Sequence, residues 1–103
     1  MQMSRTEATR AALANTSGQY GQASVTGSAA QISSNTSEVN HGVAVRALSS
    51  NTDVVWVGLD NSTAAGSGLE LNPGEGVTIK IDQSAKVWAI SGSGTQKISY
   101  VAT

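Results

Sequence analysis

The chain has 103 residues with six basic and seven acidic side chains, a formal net charge of −1, and a length that suits a single domain. It has no cysteine and one histidine, which excludes a disulfide framework and a histidine-rich metal site. The basic residues are scattered, so we expect no nucleic-acid partner, and no apolar run approaches the roughly 20 residues of a membrane span.

The apolar inventory of the chain is small. It has no phenylalanine, two tryptophans and two tyrosines, and its apolar bulk comes mainly from ten valines, five isoleucines and five leucines. Burying such a side chain contributes roughly 1.5–3 kcal/mol, which leaves a small margin over chain entropy. Since disulfides and a histidine-rich metal site are excluded, we expect self-association or docking to another protein to add stability.

Residues 1–20 form the first predicted element, an N-terminal arm. Ser4 and Glu7 have the spacing of a capping box, and alanines and Leu13 follow, which predicts a short helix. A frayed tail is the alternative, because so short a helix nucleates poorly alone. The arm has no apolar segment typical of secretion signals, so we expect synthesis as a soluble cytoplasmic protein. The arm residues proposed as protein contacts are Arg5, Glu7, Arg10 and Leu13.

Residues 21–103 have the pattern of a β domain, in which short apolar runs rich in β-branched residues alternate with turn formers. Pro73 and Gly74 predict a type II turn, and residues 82–85 and 92–95 have the length of hairpin links. We expect a small antiparallel β-sandwich of seven or eight strands, jelly-roll or immunoglobulin-like, after the arm. The predicted strands are residues 22–26, 29–33, 43–48, 54–59, 76–81, 86–91 and 96–102, with a short edge segment at 69–71.

Trp56 and Trp88 are the candidate contact residues of the β domain, and each lies between two small or branched apolar residues. In a core so poor in aromatic side chains, we expect at least one of them to be a central core residue. The other is expected to line a subunit contact. An exposed pair that binds sugar is the alternative.

The sequence predicts no catalytic, cofactor-binding or metal site, and we expect no enzymatic activity. His41 is the one ordinary general base, and in its loop between Asn40 and Gly42 a solvated turn histidine is the expected role. Residues 92–94 lack the lysine and the helix of a phosphate-binding loop. The acidic residues fall mostly in or beside predicted loops as solubilising charges, and a calcium site around Asp60 is the alternative for that loop.

Three segments in the second half of the chain contain strand and turn residues in a characteristic order. They are Val-Val-Trp-Val-Gly at residues 54–58, Asn-Ser-Thr-Ala-Ala-Gly-Ser-Gly-Leu-Glu-Leu-Asn-Pro-Gly-Glu at residues 61–75, and Lys-Val-Trp-Ala-Ile-Ser at residues 86–91. These segments resemble a module found in tailed-bacteriophage structural proteins. The stretch beginning Ala-Ser-Val-Thr-Gly at residue 23 resembles the opening hairpin of that module, so the likeness covers about residues 22–102.

The resemblance implies a virion structural protein. A chain of this length with a short arm looks most like a capsid cement or decoration protein. That implies the major capsid protein as partner, a homotrimer, and a place on the capsid surface after synthesis in the host cytoplasm. A tail, neck or fibre adaptor is the first alternative, and a carbohydrate-binding module using Trp56 or Trp88 is the second.

Overall fold

The computed structural model describes residues 19–103, which form eight strands and one short 3-10 turn. Each segment predicted to be a strand is one, with ends that agree within two residues. The predicted arm residues Arg5, Glu7, Arg10 and Leu13 lie outside the described part of the chain. The elements are β1 (Tyr20–Val25), β2 (Ala30–Gln31), β3 (Val43–Ala47), β4 (Val55–Gly58), β5 (Leu69–Leu71), β6 (Gly76–Ile79), the 3-10 turn Ser84–Lys86, β7 (Trp88–Ser91) and β8 (Gln96–Ala102).

The strands form two antiparallel four-stranded sheets, sheet A in the order β1-β8-β3-β6 and sheet B in the order β2-β7-β4-β5. The pairs β1–β8, β2–β7, β3–β6 and β4–β5 make the chain one long antiparallel ribbon, folded over at the loop of residues 59–68. Two further pairings, β3–β8 and β4–β7, wrap this ribbon into a sandwich. Eight strands wound in this way make a jelly roll, which decides between the two predicted sandwich topologies.

The connections differ from the prediction in one respect. Residues 92–95 join β7 of sheet B to β8 of sheet A, and residues 82–85 lie between β6 of sheet A and β7 of sheet B. Neither is a hairpin link, because each joins strands of different sheets. A short loop can form an arch between packed sheets as well as a turn within one sheet, so its length did not distinguish the two. The predicted turn at Pro73 is confirmed: Gly74 has a φ of 88°, and the Glu75 N–H donates to the Asn72 carbonyl at 2.9 Å.

The core lies between the sheets and follows from the alternation of side chains along each strand. In β3, Val43 and Val45 are buried, whereas Ala44 and Arg46 between and beyond them are exposed. Ile98 in β8 is fully buried at the centre of sheet A. Within residues 19–103, no helix is long and apolar enough to cross a membrane. The buried apolar cluster is Val25, Ile32, Val39, Val43, Val45, Ala47, Val55, Val57, Leu71, Val87, Ala89, Ile98 and Ala102.

Candidate interaction surfaces

Both tryptophans project from the outer face of sheet B, the face turned away from sheet A. Trp56 lies between Val55 and Val57, which belong to the buried cluster, so its side chain points to the opposite side of the strand. Trp88 lies in the same way next to buried Ala89. Both are half-buried and neither is part of the core cluster. The prediction that at least one tryptophan is a central core residue is therefore wrong, because valines and alanine take the inward positions of these strands.

The two tryptophans are neighbours on this face. Trp56 pairs across the strands with Ile90, and Trp88 is two residues before Ile90 on the same face, so the rings are diagonal neighbours within mutual reach. On its other side Trp56 pairs with Glu70 of β5. Trp88 pairs with Gly58 on one side and Gln31 on the other. The outer face of sheet B thus carries a connected apolar strip, with a carboxylate at one end.

The outer face of sheet A is the opposite surface of the sandwich. A row of side chains crosses it from Tyr20 through Val101 and Ala44 to Thr78. Tyr20 is 70% exposed and Val101 is 52% exposed, which are high values for large apolar side chains. Beside them lies a shallow depression of about 460 Å³, whose lining includes Ala44, Gly76, Thr78, Ser99 and Val101. This surface therefore combines exposed apolar groups with a depression lined by small side chains and by the larger Arg46 and Tyr100.

The acidic loop residues accept hydrogen bonds from their own or neighbouring loops. The Ser93 hydroxyl donates to Asp53 at 2.5 Å, and this bond, with a second from the Val54 N–H, lowers the pKa of Asp53. This hydrogen bond joins the loop before β4 to the loop before β8. A hydrogen bond from Lys86 lowers the pKa of Asp82 in the same way. These carboxylates therefore act as loop ties in addition to solubilising the surface.

The carboxylates of Asp60 and Glu75 also accept hydrogen bonds within their own loops. The hydroxyl and the backbone N–H of Ser62 both donate to one oxygen of Asp60, at 2.6 and 3.0 Å, and lower its pKa. The backbone N–H and side-chain amide of Asn72 do the same for Glu75. Across residues 19–103, no three His, Cys, Asp or Glu side chains come together as a set of metal ligands.

His41 lies exposed in the connection before β3, and its backbone N–H donates to the Thr103 carbonyl at 3.1 Å. Sequence reasoning missed Tyr20, Arg46, Lys97 and Val101, which the pairing of β1, β8 and β3 brings to one face. The alternation of β3 and β8 could have placed Arg46 and Val101 outward. Their proximity depends on a sheet order that adjacent positions in the sequence do not reveal.

Comparisons with protein-family models, with curated proteins and with solved structures gave no match to this chain. The strands, their faces and the charges on those faces therefore carry the functional argument.

Proposed function

We propose that this chain is a virion structural protein, a cement subunit that binds the major capsid protein on the outer surface of a tailed-phage capsid and has no enzymatic activity. The observation that carries the proposal is the presence of large, incompletely buried apolar side chains on both outer faces of one small sandwich. Tyr20 and Val101 lie on one face, and Trp56 and Trp88 lie on the other. A subunit that links neighbours in a shell needs such contact surfaces on more than one side.

The fold topology is compatible with this role. Jelly rolls with two packed four-stranded sheets recur in viral capsid domains, as well as in lectins. Topology alone does not select a function, so this support is an analogy at the level of the fold. Sites of modest affinity suffice on a symmetric shell, because a subunit that engages several neighbours gains from each additional contact.

The test uses shells assembled from the tailed-phage major capsid protein that is proposed as the partner. Purified protein is added to those shells, and the bound copies per particle are counted after sedimentation. We expect saturable binding at many copies per shell, together with a higher temperature of shell rupture. A chain lacking residues 1–18 is expected to retain the sandwich and lose shell binding, since the arm is proposed to reach across capsid subunits. Binding limited to a single ring of copies at the portal would instead establish the tail or neck adaptor role.

A carbohydrate-binding module is the second candidate, and the diagonal placement of Trp56 and Trp88 on one outer face favours it. Aromatic rings side by side on a sheet present apolar faces that stack on sugar rings, and Gln31 and Glu70 are polar neighbours on that sheet. Titrating tryptophan fluorescence with a broad glycan panel tests this role. Saturable quenching by a glycan in a protein that does not bind shells supports it, and an unchanged spectrum across the panel excludes it.

A further inference from the structure

Within residues 19–103, positive charge is concentrated on one face of the sandwich. Among residues 19–103, four side chains are basic: Arg46, Lys80, Lys86 and Lys97. Arg46 and Lys97 occupy outward positions of β3 and β8 in sheet A, and Lys80 is exposed directly after β6 of the same sheet. The four strands of sheet A contain no acidic residue. Glu75, exposed directly before β6, is the one acidic neighbour and is hydrogen-bonded to Asn72, so the outer face of sheet A keeps a net positive charge.

The outer face of sheet B carries negative charge. The four strands of sheet B contain one acidic residue, Glu70, and no basic residue. Glu70 is exposed and lies beside Trp56 on the outer face. The fourth basic side chain, Lys86, lies just before β7 and is paired with Asp82 at 2.7 Å, so its charge is matched locally.

The two faces are also complementary in shape. Sheet A has a shallow depression of about 460 Å³ with small side chains such as Ala44, Gly76 and Ser99 along its lining. Sheet B presents the large side chains of Trp56 and Trp88. The tryptophans supply bulk on one face, and the depression, which Arg46 also lines, supplies space on the other, as close packing at an interface requires.

We infer that the outer face of sheet A of one copy binds the outer face of sheet B of a second copy, in a head-to-tail contact. A symmetric contact of sheet A with sheet A would bring Arg46 and Lys97 of two copies together, and like charges in such a contact are unfavourable. Head-to-tail contacts use two different surfaces of each subunit, and because the two outer faces lie on opposite sides of the sandwich, repeated contacts build a stack of copies. The inference deepens the proposed function by naming the surface that joins copies of the subunit.

The test is a charge swap on the full-length protein. Arg46→Glu and Glu70→Arg are prepared separately, and molar mass is measured by light scattering over a concentration series at low salt. We expect the wild type to exceed the 10.4 kDa monomer mass as concentration rises. Each variant alone is expected to raise the dissociation constant by about tenfold or more, because reversing one charge replaces an attraction across the contact with a repulsion.

The decisive sample is an equimolar mixture of the two variants. The reversed charge on sheet A of Arg46→Glu then meets the reversed charge on sheet B of Glu70→Arg, and the two unaltered faces also remain complementary, so association is expected to return. Glu38→Arg, an exposed position in the connection between β2 and β3, is the control for charge reversal and is expected to associate like the wild type. Circular dichroism checks that every variant is folded.

Three results would overturn the inference: a wild type that stays monomeric throughout the series, either variant alone associating as well as the wild type, or a mixture that associates no better than the separate variants. Because no shell is present in this experiment, its outcome is separate from that of the shell-binding assay. Protein that associates head to tail without binding shells would refute the cement role and leave the contact between copies standing.

Discussion

Thr63 occupies the space that a side chain at Gly58 would fill. A Cβ atom built on Gly58 would collide with the Thr63 hydroxyl and with its Cβ and methyl carbons. Thr63 is buried, and its hydroxyl donates to the Asp60 carbonyl at 2.8 Å. Gly58 pairs with Trp88, so Thr63 anchors the loop of residues 59–68 against the outer face of sheet B. Gly58 does not have a positive φ, so its backbone conformation does not require glycine. The close approach of the Thr63 side chain requires it instead.

Gly58→Ala is therefore expected to destabilise the fold by about 1–3 kcal/mol, the usual range for forcing atoms into a packed site. It should also change tryptophan emission, because the displaced loop lies next to the cross-strand partner of Trp88. Urea unfolding followed by fluorescence measures both effects. Gly27→Ala is the matched control, because a Cβ at Gly27 meets no atom within 4 Å. Equal losses in the two variants would contradict this account of Gly58.

Strands such as β4 and β7 were predictable from the sequence because short runs rich in apolar residues lie between turn formers, and β6 alternates cleanly. The roles of Trp56 and Trp88 were not, since an apolar run such as that of β4 defines two faces without saying which one meets the other sheet. The shared face of Arg46 and Lys97 depends on the pairing of β3 with β8, which are distant in the chain. Loop length likewise did not distinguish arches between sheets from hairpins.

Ile98 and Val101 lie in the same strand but have opposite environments. Ile98 is fully buried in the core cluster, whereas Val101 is 52% exposed on the outer face of sheet A. Ile98→Ala is expected to lower the free energy of unfolding by about 2–5 kcal/mol, through lost burial and the cavity left behind. Val101→Ala should change it by no more than about 0.5 kcal/mol. Chemical denaturation compares the two, and a comparable loss at both positions would contradict the assignment of strand faces.

Gln96 is a buried polar side chain that ties two loops together. Its amide nitrogen donates to the Ser93 carbonyl at 2.9 Å and to the Thr52 hydroxyl at 3.2 Å, and its carbonyl oxygen accepts the Thr52 N–H at 2.9 Å. Gln96→Met keeps the volume but removes these partners, so we expect a loss of about 1–3 kcal/mol for the polar groups left unmatched. Gln22→Met, at an exposed position of β1, is the control. Thermal unfolding of the pair tests this, and a neutral Gln96→Met would show that water replaces the amide.

Stability is expected to fall in acid because of the tied loop carboxylates. The hydrogen bonds to Asp53 and Asp82 lower the pKa of each group in the folded state relative to the unfolded chain. A lowered pKa stabilises the fold while the group is ionised, and this contribution is lost as pH falls through the folded value. The unfolding temperature should therefore hold steady near neutral pH and decline from about pH 5 downward.

Asp53→Asn separates the contribution of one such carboxylate from the general effect of acid. The variant should be less stable than the wild type at pH 7, because an amide accepts the Ser93 hydroxyl more weakly than a charged carboxylate does. The difference should shrink as the wild-type carboxylate becomes protonated, so the two curves of unfolding temperature against pH should converge in acid. Glu38→Gln is the control for removing one exposed negative charge, and its curve should run parallel to that of the wild type. Parallel curves for Asp53→Asn as well would mean that the Ser93–Asp53 tie does not distinguish the charged form from the neutral one.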